Sequence, residues 1–306
     1  MKCIVTGGEG FIGSHVVSDL ARRGFEVVSY DVAPHVSQKT YKNITAVQGD
    51  IRNSTLLREA IEHADLVFHL AGILGTEELF QNPKNAIDVN INGALNVLLA
   101  ASQRQRIFFP AKPNQWNNVY SVTSQAVEKL GHTYHEYMGL DVRVLRFRNV
   151  FGPRQKILPI RKVVPVFILQ ALTGHPIEIF GDGCQPVEFQ YVENVARMIV
   201  DYTIRDIKPT ETHEIKAQIT MTVSELASHV VQITGSKSAI SHIPMRKGEP
   251  SNAILQHAPD VQDIVDNGAV TPFSIGMERT VDWYSKVSDD ILLQAMKFYN
   301  FPGEFA

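Results

Sequence analysis

A cluster of glycines near the start of the chain has the spacing of a phosphate-binding turn. Gly8, Gly10 and Gly13 form the pattern G-x-G-x-x-G, and Gly7, Gly10 and Gly13 form the related pattern G-x-x-G-x-x-G. The cluster follows a short apolar run, Ile4-Val5, and precedes an apolar pattern with helical spacing. Glycines at such a place permit a tight turn, close approach of the backbone to a pyrophosphate, and close packing of helix on strand. The amides at the positive end of the helix would bind the phosphates. The alternative is an ordinary glycine turn.

A carboxylate follows the next apolar run at a matching distance. Asp31 lies 18 residues beyond Gly13, directly after an apolar run that ends at Tyr30. A carboxylate there can accept hydrogen bonds from both hydroxyls of an adenosine ribose, and it repels a 2′-phosphate. Together the two features predict a dinucleotide site that prefers NAD to NADP. The competing interpretation of Asp31 is a turn residue at the end of a strand.

The first half of the chain alternates strand-like apolar runs with helical patterns. This alternation predicts an α/β fold with a doubly wound parallel sheet of the Rossmann type, whose ligands bind at the carboxyl ends of the strands. The predicted strands are Lys2–Thr6, Glu26–Tyr30, Ile44–Gln48, Leu66–Leu70, Arg106–Phe109 and Val142–Arg146. The predicted helices are Gly13–Arg23, Ser54–His63, Ala86–Ser102 and Val122–Met138.

The sequence pattern changes after Gly152-Pro153: prolines recur, and the predicted segments become short and irregular. We therefore predict an NAD-binding Rossmann domain over residues 1–152. Residues 153–306 are predicted to form a smaller mixed lobe that binds substrate. This boundary is approximate, and later segments can return to the first domain.

The composition argues against several classes of protein. The 306 residues are 44% hydrophobic and 20% charged, with a formal net charge of −3, so the overall charge favours neither nucleic acid nor an anionic membrane. Two cysteines, Cys3 and Cys184, are too few for a disulfide framework or a thiolate metal site, and no metal site is expected. The longest apolar stretch, Val163–Leu172, is too short to span a bilayer. The first strand begins at residue 2 and leaves no room for a signal peptide, so we expect a soluble, cytoplasmic protein.

Further motifs occur along nearly the whole chain. They are Thr6-Gly-Gly-Glu-Gly-Phe-Ile-Gly13, Gly49-Asp-Ile-Arg52, His69-Leu-Ala-Gly72, Asn90-Ile-Asn-Gly93, Tyr120…Glu128, Leu145-Arg-Phe-Arg-Asn-Val-Phe-Gly-Pro153, Gly181-Asp-Gly183, Tyr191-Val192 and Arg246-Lys-Gly-Glu249. In this order and spacing they resemble the extended short-chain dehydrogenase/reductase superfamily, specifically its NAD-dependent nucleotide-sugar epimerase/dehydratase family.

The resemblance implies a set of NAD contacts. Phe11-Ile12 would lie along the pyrophosphate, Asp50 and Ile51 would flank the adenine, and Leu70–Gly72 would line the ribose beside the nicotinamide. Ile51, like Leu70, would also be a core residue in any α/β sheet, and Asn90 could simply stabilise its helix. The full set is Gly7, Gly10, Phe11, Ile12, Gly13, Asp31, Asp50, Ile51, Leu70, Ala71, Gly72, Asn90 and Phe147.

The resemblance also implies substrate contacts. Asn149 matches an asparagine that contacts the sugar diphosphate, and Arg246 matches an arginine that pairs with the nucleotide phosphates, a task suited to a guanidinium. A solvated surface arginine is the alternative. A further arginine of the family is absent, since Val187 stands in its place. Thr76 and the two glutamates after it could face the sugar, although a solvated helix start explains those carboxylates equally well.

The catalytic pattern implied by the resemblance is incomplete. The family uses Tyr-x-x-x-Lys on a helix, and here Tyr120 is present while Ser124 occupies the lysine position. An unassisted phenol has a pKa of about 10, so ionisation at pH 7 needs about 4 kcal/mol of differential stabilisation. The Ser/Thr pair that normally precedes the tyrosine is also missing, and Lys112 stands in that region. We hypothesise that the Lys112 ammonium enters the site, against the alternative of a solvated loop lysine. Tyr120 itself could be a plain aromatic residue.

Two classes of function compete, and a reaction that needs no phenolate, in which the substrate's own groups move the proton, is a third possibility. The first is an enzyme that epimerises a nucleotide-activated sugar through a transient 4-keto intermediate, with dehydration or decarboxylation as variants; the run Phe189–Val192 looks like that of UDP-glucuronate decarboxylases. The second is a catalytically silent NAD-binding regulatory protein, which the missing lysine would favour. We favour the enzyme because Tyr120, Asn149 and Arg246 are retained. A homodimer is expected from the resemblance.

Overall fold

The computed structural model describes residues 1–35, 41–113, 116–206, 211–246, 257–261 and 270–299. They form two compact units. The first unit contains Met1–Arg148, Val192–Lys216 and the described part of 253–270, and the second contains Asn149–Tyr191 and the described parts of 217–252 and 271–306. The chain thus first crosses between units after Arg148, and later segments return to the first unit.

The elements are numbered in chain order across both units. The strands are β1 (Lys2–Thr6), β2 (Glu26–Asp31), β3 (Ile44–Gln48), β4 (Leu66–His69), β5 (Arg106–Ala111), β6 (Asp141–Arg146), β7 (Asn149–Phe151), β8 (Ile177–Phe180), β9 (Pro186–Tyr191), β10 (His213–Glu214), β11 (Ile219–Thr222) and β12 (Ile240–Ile243). The helices are α1 (Phe11–Arg22), α2 (Ser54–Glu62), α3 (Pro83–Ile87), α4 (Gly93–Ala100), α5 (Val119–Met138), α6 (Val163–Leu172), α7 (Val192–Ile204), α8 (Val223–Thr234), α9 (Phe273–Tyr284) and α10 (Asp289–Tyr299).

The first unit is built on a seven-stranded sheet in the order β3-β2-β1-β4-β5-β6-β10, with parallel pairing throughout. This confirms the predicted doubly wound α/β fold. Strands β1 and β4 are almost entirely buried, which explains why central parallel strands appear in the sequence as continuous apolar runs. The strand order reverses between β1 and β4, and ligands of such sheets bind in the crevice at the carboxyl ends there.

Local signals set the bounds of the helices. Helix α5 begins three residues before its predicted start because Asn118 caps it, with its Oδ1 accepting from the Ser121 amide at 2.9 Å. It ends at Met138 and is followed by the C-cap Gly139, whose φ of +68° favours glycine. The predicted helix over 86–102 is instead α3 and α4 joined by a π-helical turn over Asp88–Asn92.

The second unit contains two small sheets and four helices among its described residues. Strands β11, β9 and β7 form one sheet, and β12 pairs in parallel with β8 in the other. The apolar stretch noted in the sequence forms α6, which is buried over most of its length. In the described part of the chain no helix is long and apolar enough to cross a membrane.

Candidate functional site

The glycine turn joins β1 to α1, and its backbone contacts leave no room for a Cβ. Gly7 has a φ of +72°, and its amide donates to the Tyr30 carbonyl at 2.8 Å. A Cβ on Gly7 would lie 2.6 Å from the Ala71 backbone nitrogen, and one on Gly13 would lie 2.0 Å from the Gly7 carbonyl oxygen. Helix α1 follows with Gly10 as its N-cap and no side-chain capping bond. This cradle fits a pyrophosphate held by backbone amides.

Asp31 ends β2 beside this turn. Its carboxylate accepts a hydrogen bond from the Glu9 amide at 3.0 Å and one from the Ala33 amide at 2.9 Å. The bond to the Ala33 amide is the one expected if Asp31 is a turn residue at the end of a strand. The bond to the Glu9 amide attaches the carboxylate to the glycine turn itself. Each carboxylate oxygen has a second lone pair for a ribose hydroxyl. The position therefore suits the ribose contact that the sequence predicts.

Asp50 and Ile51 follow β3 but have different surroundings. The Asp50 carboxylate pairs with Arg52, with Nη2 2.6 Å from Oδ2, and this hydrogen bonding lowers the pKa of Asp50. Ile51 is buried in the core and packs against Gly93, where a Cβ would lie 2.3 Å from its Cδ1. Ile51 thus has the core role that an α/β sheet gives it, and its place at an adenine stays a prediction.

Asn90 connects the loop after β4 to the helix that carries Tyr120. Its Oδ1 accepts from the Ile73 amide at 2.7 Å, and its Nδ2 donates to the Ile73 carbonyl at 3.0 Å and to Thr123 Oγ1 at 3.1 Å. Thr123 in turn donates to the Tyr120 carbonyl at 3.0 Å. Asn90 therefore positions the loop after β4 and the start of α5 relative to each other, which is the stabilising role left open by the sequence.

Lys112 lies directly after β5 and reaches the first turn of α5. Its Nζ is 4.6 Å from the centroid of the Tyr120 ring and 5.1 Å from that of Trp116. An ammonium over an aromatic face is attracted by the ring quadrupole. The structure thus brings together Lys112 and Tyr120, as the hypothesis requires. It adds Trp116, which the sequence did not single out.

The surroundings of Tyr120 oppose ionisation in the absence of a ligand. Burial raises the pKa of Tyr120 to about 12, so the phenol is neutral at pH 7. Lys129, the other lysine near this tyrosine in sequence, is exposed further along α5. Lys112 is therefore the lysine that the fold places against Tyr120.

A buried histidine ends the strand next to the glycine turn. His69, at the end of β4, has its Nδ1 2.8 Å from Thr6 Oγ1 and packs edge-on against Phe109. Burial lowers the pKa of His69 to about 4. The imidazole is therefore neutral at pH 7 and ties the end of β4 to the end of β1.

The second unit carries two of the predicted substrate residues. Asn149 is exposed at the start of β7, and its Nδ2 donates to the Glu188 carbonyl at 3.1 Å. Arg246 stacks on Phe180, with its Cζ 5.0 Å from the ring centroid. Arg161, which the sequence did not single out, stacks on the same ring at 4.9 Å. Val187 lies in β9, where it pairs with Met221.

The remaining predicted residues occupy the loops after the strands of the first unit. Phe11 and Ile12 open α1, Phe147 follows β6, and the Thr76 amide donates to Glu78 Oε2 at 2.9 Å. Leu70–Gly72 follow β4. Residues 247–249 of the Arg246-Lys-Gly-Glu249 motif lie outside the described residues.

Comparison with known proteins adds an independent line of evidence. The sequence model of the NAD dependent epimerase/dehydratase family matches residues 3–111 and 107–215. A UDP-N-acetyl-alpha-D-glucosaminuronate decarboxylase of Bacillus cytotoxicus is 27% identical, over 94% of this chain and 99% of that protein. A UDP-glucuronate 4-epimerase of Thermodesulfobacterium geofontis is 26% identical, over 92% and 95%. Among solved structures, an epimerase of Methanothermobacter thermautotrophicus superposes with a TM-score of 0.86 at 25% identity, covering 96% of this chain and 94% of that one.

Proposed function

Because the chain belongs to the NAD-dependent epimerase/dehydratase family, we propose that it oxidises C4 of a nucleoside-diphosphate sugar with NAD and returns the hydride to give the 4-epimer. The observation that carries this proposal is the contact between Lys112 and Tyr120 in a unit that also holds the glycine cradle and Asp31. A silent NAD-binding protein would have no need to keep an ammonium against this tyrosine.

The cofactor residues are those of the first unit. The turn at Gly7–Gly13 and the start of α1 would hold the pyrophosphate, and Asp31 would hold the adenosine ribose. When bound there, NAD supplies a hydride acceptor and then a hydride donor for a sugar carbon. The turn fits this role because a Cβ at Gly7 would meet the Ala71 backbone and one at Gly13 would meet the Gly7 carbonyl, so glycine at both positions permits the tight turn that brings the start of α1 next to β1.

Tyr120 is the proposed general base. Its phenolate would take the proton of the sugar 4-hydroxyl as C4 is oxidised to the ketone, and the phenol would return that proton when C4 is reduced. Lowering the pKa of Tyr120 from about 12 to 7 requires about 7 kcal/mol of differential stabilisation. A single ammonium over the ring provides only part of this stabilisation, since such a contact contributes about 0.5–2 kcal/mol. Lys112 would therefore supply part of the stabilisation, and the positive charge of a bound nicotinamide would add to it.

Asn149 and Arg246 are the proposed diphosphate contacts. Asn149 donates to the Glu188 carbonyl and Arg246 stacks on Phe180, so each side chain has a defined position in the second unit. An arginine fork matches phosphate oxygens in pairs. The names of the two relatives above contain UDP, which makes UDP-sugars the first substrates to try.

Decarboxylation is a second candidate. It is favoured by the Bacillus cytotoxicus relative, a decarboxylase matched over 94% of this chain. A 4-keto uronate is a β-keto acid and loses carbon dioxide readily, so the same oxidation at C4 would serve both outcomes. Release of carbon dioxide from UDP-uronates separates decarboxylation from epimerisation.

The association state and location complete the proposal. Helices α4 and α5 expose large apolar side chains, namely Leu99, Val122, Tyr137 and Met138, and an apolar surface of this kind favours a homodimer. Cys3 and Cys184 are both unbridged, which suits the cytoplasm. The molecular mass in solution tests the proposed homodimer, and the mass of a monomer at micromolar concentration would contradict it.

The test has two steps. The purified protein is denatured and the released small molecules are identified by mass spectrometry; the native protein is then incubated with UDP-, dTDP-, GDP- and CDP-sugars. We expect NAD in the first step and a new product from at least one sugar in the second. Release of NAD with no conversion of any sugar would support the silent NAD-binding protein instead.

A further inference from the structure

The turn before α5 contains two buried side-chain donors that have no hydrogen-bond partner. They are the indole Nε1 of Trp116 and the amide Nδ2 of Asn118, and neither nitrogen has a partner among the described residues. Asn118 is only 3% exposed, so bulk water does not take the place of a partner. Native structures satisfy nearly all buried polar groups, because a group left unpaired is costly. Two such donors in one turn therefore indicate a place for a bound polar group.

The cap of α5 determines which end of the Asn118 amide is unpaired. Asn118 Oδ1 accepts from the Ser121 amide at 2.9 Å, so Nδ2 with its two N–H groups remains. The Asn118 backbone amide donates to the Trp116 carbonyl at 2.9 Å, which joins the two residues in one tight turn. An indole N–H and an amide NH2 donate hydrogen bonds and accept none. The two unpaired nitrogens of this turn are therefore donors only.

The Lys112 ammonium adds a positive charge to these donors. Its Nζ lies 5.1 Å from the centroid of the Trp116 ring and 4.6 Å from that of the Tyr120 ring. A ligand that suits this place accepts hydrogen bonds and carries a negative charge. A carboxylate has both properties, since its two oxygens accept about four hydrogen bonds and, when ionised, donate none. The chemistry of the turn thus matches an acid.

The position of the turn indicates which group of a sugar would meet it. Tyr120 is the proposed base at the 4-hydroxyl, and C6 of a hexose is joined to C4 through C5 alone, so a group at C6 lies next to the atoms that Tyr120 contacts. In a neutral hexose C6 carries a hydroxyl, whose own proton needs an acceptor that Trp116 Nε1 and Asn118 Nδ2 cannot supply. In a hexuronate C6 is a carboxylate. The donors and the ammonium therefore favour the acidic sugar.

We propose that Trp116 Nε1, Asn118 Nδ2 and the Lys112 ammonium bind the C6 carboxylate of a nucleotide-linked hexuronate. The inference rests on the proposed function, which places C4 at Tyr120, and it adds Trp116 and Asn118 as the residues that select an acidic substrate. An ammonium has several N–H donors, so Lys112 can contact the carboxylate while it stays next to the Tyr120 ring.

The experiment is calorimetric titration of the full NAD-loaded chain with UDP-glucuronate and with UDP-glucose, which differ only at C6. The titrations use the Tyr120→Phe background, which keeps the ring next to Lys112 and prevents conversion of the sugar during the measurement. We expect UDP-glucuronate to bind more tightly by about tenfold or more, the equivalent of one hydrogen bond to a charged group.

Trp116→Phe removes the N–H and keeps an aromatic ring for Lys112. It should weaken the binding of UDP-glucuronate by about 10- to 100-fold, the range for a hydrogen bond to a charged group. The binding of UDP-glucose should change by about threefold or less, as for a weak neutral hydrogen bond. The matched control is Trp283→Phe, the same change at the other tryptophan of the chain, which lies in α9 of the second unit. It should leave both affinities unchanged.

Asn118→Asp reverses the chemistry of the second donor without removing the cap. An aspartate oxygen can accept from the Ser121 amide as Asn118 Oδ1 does, so α5 keeps its start. The other oxygen replaces an N–H donor with negative charge, which repels a carboxylate. This variant should therefore weaken UDP-glucuronate more than Trp116→Phe does, and it should leave UDP-glucose within about threefold of the unmodified turn.

The outcomes separate the inference from the function on which it rests. Equal binding of the two sugars, binding of neutral nucleotide-sugars only, or an unchanged ratio of the two affinities in either Trp116→Phe or Asn118→Asp would overturn the inference and leave the proposed function intact. A changed ratio in Trp283→Phe would overturn it as well. If Trp116→Phe does not fold, Asn118→Asp decides. Failure of the unmodified NAD-loaded protein to bind any UDP-, dTDP-, GDP- or CDP-sugar would overturn the proposed function itself.

Discussion

The ammonium of Lys112 lies 4.6 Å from the centroid of the Tyr120 ring. The two residues come from the end of β5 and the first turn of α5, and Trp116 on the connection contributes a second ring 5.1 Å from the same Nζ. A positive charge therefore lies next to Tyr120, although Ser124 replaces the lysine that the family pattern has one helical turn further on.

Replacement of Lys112 tests the role of this charge. We expect Lys112→Met to lower turnover by up to about 30-fold, the rate equivalent of a desolvated cation–π contact, with bound NAD unchanged. Lys112→Arg should keep most of the activity. Lys129→Met, an exposed lysine on α5, is the control. Turnover measured on NAD-loaded protein decides the matter, and wild-type activity in Lys112→Met would dismiss the hypothesis.

The pH dependence of turnover tests Tyr120 as the base. Burial raises its pKa to about 12, so the ionised fraction grows with pH throughout the neutral range. Turnover should therefore rise with pH, and Lys112→Met should shift the rising limb to higher pH because it removes a charge that favours the phenolate. Tyr120→Phe should lack the limb. A limb of unchanged position in Lys112→Met, or activity in Tyr120→Phe, would contradict the assignment.

The acid stability of the protein should depend on His69. Its pKa is about 4 in the folded chain against an ordinary value of 6.5, so the unfolded chain binds the additional proton between these values. The contribution of His69 is fully present above pH 6.5 and is lost as the pH falls towards 4, amounting to about 3 kcal/mol. Urea unfolding at several pH values measures it. His69→Asn should be less stable overall but should show a smaller decrease over this range; an identical decrease would refute the prediction.

Cofactor choice should depend on Asp31. The carboxylate is held beside the glycine turn by the Glu9 and Ala33 amides, and it repels a 2′-phosphate. Asp31→Ser should weaken NAD binding by about tenfold and reduce the preference for NAD over NADP. Titration of protein freed of nucleotide with each cofactor gives both values. An unchanged ratio of the two affinities would mean that another residue selects the cofactor.

Most of the first unit could be predicted from the sequence because its signals are local. The glycine spacing, Asp31 and the buried strands each depend on short stretches of chain, and the family, the enzyme class and NAD are confirmed by the match to an NAD-dependent epimerase/dehydratase family. The early start of α5 could not be predicted, because the capping role of Asn118 depends on the exact conformation of the turn at this position.

The contacts that could not be predicted depend on how the elements of the fold pack together. Trp116 meets Lys112 only because β5 continues to Ala111 and delivers the lysine beside α5. Arg246 reaches Phe180 through the pairing of β8 with β12, and Arg161 reaches the same ring from the segment before α6, neither of which follows a sequence period. Asn90 combines both cases: its motif is visible in the sequence, but its hydrogen bonds to Ile73 and Thr123 depend on the fold.

The central claim is that C4 of the sugar is oxidised and reduced again within the site. Its most direct test is to supply the accepted nucleotide-sugar with deuterium at C4 and to follow the label in the product by NMR. The account predicts that the label stays at C4, since the hydride that leaves this carbon returns to it, and that Tyr120→Phe gives no product. Loss of the label to water during conversion would contradict it.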